Sequence, residues 1–307
     1  MINVSVIVCI QNPRADYLGR VLTALRNQSL PKSQWELLLV GSVSKEPLAD
    51  AWNISWHPNA RHIFEDEINL ACARELGIRE AAADLLIFMN DDNILDPTYL
   101  SEAIRISHEW PRLGVWGSGV TRLEFEVYLP EHLREFASIL GLRDIEAPRW
   151  SNVFKCVEAT PSSAGLCVRA NVAAAYRPLS RQSLFHISSR TESSLEGAGG
   201  DEISYIACSL GLGIGIFPEL KQIQLVPKEQ TTKSYFLARS EHYNFSRCLL
   251  TYKWQRAIPT HPFSPQGFLS ILKEFLFCHG FQRRMYLAEL RAQLKARRII
   301  AADPPNI

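Results

Sequence analysis

No stretch of this chain stays apolar for the ~18 residues that a membrane-spanning helix needs. No two of its seven cysteines form a Cys-x-x-Cys pair, and no charge of either sign is in excess. Each absence narrows the field. Lys+Arg number 33 against Asp+Glu 32, a net charge of +1, whereas a nucleic-acid binder carries a strongly basic footprint; no nucleic-acid partner is expected, and small ligands are. The cysteines (9, 72, 156, 167, 208, 248, 278) are scattered through apolar contexts with no histidine at metal-site spacing, so they read as buried free thiols in a reducing compartment. The opening residues "INVSVIVCI" carry no basic segment and no cleavage site, and the expected location is the cytoplasm. Repeats and low-complexity tracts are missing too. What remains is a chain of 307 residues, 47% hydrophobic, enough to fill the core of one large or two modest domains.

Strand and helix alternate from the first residue. "VSVIVCI" (4–10), "WELLLV" (35–40) and "LLIFM" (85–89) are β-branched or aliphatic runs, too short for helices and suited to parallel strands buried on both faces. Between them, Leu18, Val21, Leu22 and Leu25 fall at i, i+3, i+4, i+7, an amphipathic helix. Leu70, Ala73, Gly77, Ile78 and Ala81 mark a second, and Pro97 opens a third over about 97–109. This order predicts an α/β fold, a doubly wound, mostly parallel sheet with right-handed crossovers. The later half is less regular, with a strand near 165–169, a Ser/Gly-rich stretch over 180–200 expected to be a mobile loop, and a helix over about 201–210.

The third strand ends abruptly in Asn90, Asp91, Asp92 and Asn93. Asn and Asp commonly end strands by hydrogen-bonding nearby backbone. Adjacent carboxylates beside a low-dielectric sheet nevertheless repel, and a divalent cation with a bound phosphate relieves that repulsion. In doubly wound sheets ligands bind outside the carboxyl ends of the strands, which is where this tip stands.

The residues "VSVIVCIQNPRADYLGRVLTALRNQSLP", "WELLLVGSVS", "NLACARELGIREAAADLLIFMNDDNILDPTYL", "AGLCVR", "GGDEISYIACSLGLGIGIFPEL" and "YFLARSEHYNFS" occur in an order that resembles the GT-A type, family 2 glycosyltransferases over about residues 3–250. The resemblance implies a GT-A fold with a nucleotide-sugar-binding half (1–115), a smaller acceptor-binding and catalytic-base half (116–255) and a C-terminal helical extension (256–307). It implies an inverting transferase that moves a sugar from a nucleotide-diphosphate donor to the hydroxyl of a glycan, lipid-linked or other acceptor, with Mn²⁺ or Mg²⁺ as cofactor. Carried over by position, Asp92 is the principal metal ligand, Asp91 shares the metal or contacts ribose, and Asn12, Arg74 and Asn90 help to hold the donor. Asp201 and Glu202 are the candidates for the base that takes the acceptor proton, Asp201 preferred. Acids at a helix start are also stabilised by the helix dipole.

Three positions depart from the family pattern. Gly41-Ser42 stands where a base-recognising Asp is usual, Asn90 replaces the first acid of the tip, and Gln224 replaces a histidine able to reach the metal. These losses leave open a non-catalytic relative that binds nucleotide-sugar or glycan. A nucleotidyltransferase is the other alternative, although "CIQNPRADYL" lacks the glycines of its phosphate loop. His57 and His62 read as loop packing, and Trp150 as either an acceptor platform or core. The tail from 266 joins an apolar stretch to a helix bearing Arg283, Arg284, Arg291, Lys295, Arg297 and Arg298. That helix packs on the remainder of the chain, pairs with a second copy in a homodimer, or lies on the inner face of an anionic membrane.

Overall fold

The computed structural model describes residues 2–10, 13–42, 52–65, 70–153, 157–180, 199–258 and 279–302. The stretch 181–198, the greater part of the expected loop, lies outside them, as do Asn12 and the apolar segment 266–278. The chain divides into two compact units. One takes Met1–Glu124, Gly141–Ser183 and Gly199–Val226; the other takes Phe125–Leu140, Leu184–Ala198 and Pro227–Ile307.

The first unit is built on strands β1 (Val4–Ile10), β2 (Trp35–Ser42), β3 (Ala60–Glu65), β4 (Leu85–Asn90), β5 (Asn93–Leu95), β6 (Leu113–Phe125), β7 (Arg143–Asp144), β8 (Arg149–Ser151), β9 (Leu166–Arg169) and β10 (Gly213–Val226). Its helices are α1 (Ala15–Arg26), α2 (Leu70–Glu80), α3 (Tyr99–Glu109), α4 (Ala170–Ser180) and α5 (Gly199–Ser209). The sheet runs β3-β2-β1-β4-β9-β6-β10-β5, with β7 beside β6 and β8 beside β10. β1, β2, β3 and β4 are mutually parallel, and β9 runs antiparallel to both β4 and β6. The α/β reading therefore holds, with a mixed second half.

The two-residue period of a strand gives β1 two distinct faces. Val4, Val6, Val8 and Ile10 join Leu37, Leu39, Ile87 and Met89 in one core with Leu18, Val21, Leu22 and Leu25 of α1 and Leu100, Ala103 and Ile106 of α3. At about 1.5–3 kcal/mol per buried aliphatic side chain, this core is a large stabilising term for the unit. The opposite face, with Ile7 at its centre, receives α2 so closely that a Cβ on Gly77 would stand 2.4 Å from Ile7 Cγ2. α4 packs beside α2, and α5 beside α4, on this second face. At the amino end of the strands the buried Glu36 carboxylate accepts from Ser5 Oγ (2.6 Å) and Ala82 N (2.6 Å), a structural tie between β1, β2 and the turn before β4.

The second unit includes a run of 3-10 turns over Glu131–Leu140 and two long helices, α6 (Lys233–Gln255) and α7 (Gly280–Ala302). Thr232 caps α6 by accepting from Tyr235 N at 3.3 Å. Phe245 and Leu249 of α6 bury against Ala292, Ala296 and Ile300 of α7; small residues one turn apart let the two backbones come close. Among the described residues Cys9, Cys72, Cys167, Cys208 and Cys248 form no disulfide, and three of them are buried.

Candidate active site

β4 is buried along its whole length and ends at Asn90, after which Asp91 and Asp92 form a half-buried turn. The chain then folds back as β5, pairing Asn93 with Gln224 of β10. Asp92 is held from both ends. Its carbonyl accepts from Leu225 N at 2.9 Å, and its Oδ2 accepts from Gln224 Nε2 at 2.6 Å. Gln224 is itself oriented, because its Oε1 accepts from Asn93 Nδ2 at 2.7 Å and its Nε2 also donates to Leu225 O at 3.1 Å. Both ends of the Gln224 amide are thus engaged, so the side chain is held in place to position Asp92.

No group of three or more His, Cys, Asp or Glu able to hold a metal occurs among the described residues. The anionic oxygens that the turn could offer an ion are the carboxylates of Asp91 and Asp92. That set fits a hard ion such as Mg²⁺ or Mn²⁺, which is commonly held by one or two carboxylates and completes its shell with water and substrate phosphate. It suits zinc less well, since zinc sites commonly include histidine or cysteine and have three or four protein ligands.

A second polar group lies on the face of α2, α4 and α5. Arg74 (α2) is 3% exposed, Tyr176 (α4) 2% and Glu202 (α5) 1%. The Arg74 side chain hydrogen-bonds the Tyr176 phenol, and Glu202 and Cys9 lie near enough to act on its charge. Burial pushes the Tyr176 hydroxyl up to about 12, so it stays protonated at neutral pH. Cys9 pairs in register with Asn90, which puts this cluster at the carboxyl end of the sheet, beside the acidic tip. A buried cation, phenol and carboxylate together avoid the cost of an isolated buried charge. Asp201 and Glu202 point about 100° apart around α5: Glu202 turns inward, and Asp201 stays half-buried.

The start of α5 is fixed near the tip by packing. A Cβ on Gly200 would meet the Ser163 backbone at 3.0 Å, and three residues beyond Ser163 the strand β9 begins by pairing Leu166 with Phe88, two residues before Asn90. Asn90, Asp91, Asp92, Arg74, Asp201 and Glu202 are thereby gathered at one end of the sheet; Asn12 lies outside the described residues. Tyr176 escaped sequence reading, its only signal being a lone aromatic in the alanine-rich "NVAAAYR".

Other positions are placed differently. A Cβ on Gly41 would stand 2.3 Å from Ile10 Cγ1, so Ile10 fills the space that a carboxylate at 41 would require. His57 packs edge-on to Trp35 (4.1 Å) and Trp56 (5.4 Å), and burial holds its imidazole down to about 4. His62 stacks on Phe64 at 5.6 Å. Trp150 is 57% exposed and pairs with Gly215, nine positions along β10 from Gln224. At roughly 3.3 Å per residue the strand carries it up to ~30 Å from the acidic tip.

Residues 5–157, very nearly half of the chain, match the model of Glycosyl transferase family 2. Over these residues the chain is a family 2 glycosyltransferase domain. The mannosyltransferase PcManGT from Pyrobaculum calidifontis, solved in complex with GDP-Man and Mn²⁺, is 18% identical with a TM-score of 0.57, over 98% of this chain and 75% of that one. TarS 1-349 of S. aureus, solved in complex with UDP-GlcNAc, is 11% identical with a TM-score of 0.50, over 98% of this chain and 92% of that one. Both likenesses concern the fold, which is GT-A. No curated protein matches the sequence. The match over residues 5–157 favours a glycosyltransferase over the nucleotidyltransferase alternative.

Proposed function

We propose that the protein transfers one sugar from a nucleotide-diphosphate donor to an acceptor hydroxyl of a glycan, lipid-linked or other glycoconjugate in the cytoplasm, inverting the anomeric centre. The observation that carries this reading is the Asp91-Asp92 turn at the carboxyl end of β4, fastened to β10 through Gln224. Asp92 and Asp91 would hold Mn²⁺ or Mg²⁺, which when bound supplies Lewis-acid neutralisation of the departing diphosphate. Asn90 contributes hydrogen bonds to the donor, and Asn12 is assigned the same role from its place in the sequence. Arg74, whose charge is kept at this end of the sheet by Tyr176, favours an anionic ligand there.

The acceptor hydroxyl has a pKa far above 7, so its proton must leave as the new bond forms, and a carboxylate within hydrogen-bond reach suffices. Of the acidic pair only Asp201 meets solvent, and we assign it as the base. Glu202, 1% exposed, serves to balance Arg74. The pair thus splits into one reacting and one positioning carboxylate.

The amide that Gln224 sets on Asp92 Oδ2 favours a second reading, a relative that binds donor without turnover. Incubation with uridine- and guanosine-diphosphate sugars, with and without Mn²⁺, separates the two. Release of nucleoside diphosphate that depends on metal and is lost in Asp201→Asn and Asp92→Asn supports transfer; tight binding with no release supports the second.

A further inference from the structure

The charge of this chain is unevenly distributed. The described residues of the second unit carry thirteen Lys and Arg against six Asp and Glu, seven positive charges in excess, while the whole chain has a net charge of +1. The excess is greatest on α7, which bears Arg283, Arg284, Arg291, Lys295, Arg297 and Arg298 with Glu289 as its one acid.

The fold gives that helix two unlike sides. Met285, Ala288, Ala292, Ala296 and Ile300 are buried, the last three against α6. Arg284, Leu287, Arg291, Lys295 and Arg298 are exposed, and at 3.6 residues per turn they fall within about a quarter of the helix circumference. Their spread from 284 to 298, at ~1.5 Å per residue, makes a straight line ~21 Å long with one cation in nearly every turn. Arg291 shares its charge with Glu241 of α6 at 3.1 Å, and Lys295 stands 5.0 Å over the Phe245 ring. Leu287, 36% exposed, lies inside the line.

We infer that this face of α7 rests on the surface of an anionic lipid bilayer. A flat, wide array of negative headgroups complements a straight row of cations, and each Lys or Arg near such a surface adds favourable energy. The inward side of α7 is already used against α6, so the contact is electrostatic, with Leu287 as a single shallow apolar contact at the headgroup level. The helix lies on the bilayer and does not cross it: no helix among the described residues is long and apolar enough to do so. A polyphosphate chain such as RNA would leave Leu287 without a partner, and the row holds no aromatic ring for a base to stack on. The inference is independent of the sugar-transfer chemistry.

Co-sedimentation of the full chain with phosphatidylcholine vesicles, with and without phosphatidylglycerol, tests it. Binding is expected only to the phosphatidylglycerol vesicles and to fall steadily as salt rises. In the quadruple variant R284Q/R291Q/K295Q/R298Q the partition coefficient should fall by about two to three orders of magnitude, with far-ultraviolet circular dichroism unchanged because all four side chains are exposed. The salt dependence of the unaltered protein stands as a second readout should the variant fold poorly. No vesicle binding, equal binding to both vesicle types, undiminished binding by a folded variant, or tighter binding to single-stranded RNA than to vesicles would each overturn the inference.

Discussion

Tyr176 has no chemistry of its own to perform in the proposed reaction, yet its hydroxyl lets a guanidinium stay buried next to the proposed donor site. Replacing it with Phe removes one of the groups that satisfy Arg74, and leaving a buried charged donor unmatched costs about 1–3 kcal/mol. Tyr176→Phe is therefore expected to lower the melting temperature by several degrees and to raise the donor KM more than it lowers kcat. Differential scanning calorimetry and steady-state kinetics check the two halves. His57 makes a separate prediction. Its folded pKa of about 4 lies below the 6.5 of an unfolded histidine, so above pH 6.5 it contributes nothing to pH dependence. As pH falls from 6.5 towards 4 the unfolded chain takes up a proton that the folded chain refuses, and stability is lost, up to about 3 kcal/mol. His62, also lowered by burial, adds in the same direction. In His57→Gln, which keeps an acceptor for Asn59 N, the decline in melting temperature across that window should be shallower; an unchanged slope would contradict the assignment.

At the scale of elements, α2 is set by its contact with β1. Because a Cβ at Gly77 would overlap Ile7 Cγ2 at 2.4 Å, Gly77→Ala must shift Ile7 or the helix, and such overpacking costs about 1–3 kcal/mol. Urea unfolding should show a lower midpoint, and since Arg74 rides on the same helix, weaker donor binding should accompany it. The long elements were legible in the sequence because each leaves a period. β1, β2 and β4 are apolar runs buried on both faces, and Leu18, Val21, Leu22 and Leu25 of α1, at i, i+3, i+4, i+7, all turn inward. The Asp91-Asp92 tip was legible for the same reason, since it interrupts such a run. β5, β7 and β8, of two or three residues, are too short to carry a period and exist only because longer strands offer them an edge. The cluster of Arg74, Tyr176 and Glu202 was equally hidden, being drawn from three helices far apart in sequence. Trp150 looked like a sugar platform by residue type, but only the register of β8 on β10 decides where it stands.

The molecule as a whole pairs a sheet whose central strand ends in acid with a helical unit carrying excess positive charge, while the net charge stays close to zero. The two features answer to different tests, since salt weakens a bilayer contact but scarcely alters carboxylates that hold a divalent ion beside bound phosphate. Loss of vesicle binding with donor binding intact is the expected result at high salt.

The account stands on Asp92 gripping a divalent ion against the donor diphosphate. The most direct measurement is the melting temperature of the unaltered protein and of Asp92→Asn with UDP or GDP, each with and without Mn²⁺, because a ligand that binds only the folded state stabilises it by mass action, about 2.7 kcal/mol at a hundred times its Kd. The predicted result is a rise of several degrees for one nucleotide that needs Mn²⁺ and vanishes in Asp92→Asn. An equal rise in both proteins, or one indifferent to Mn²⁺, would contradict it.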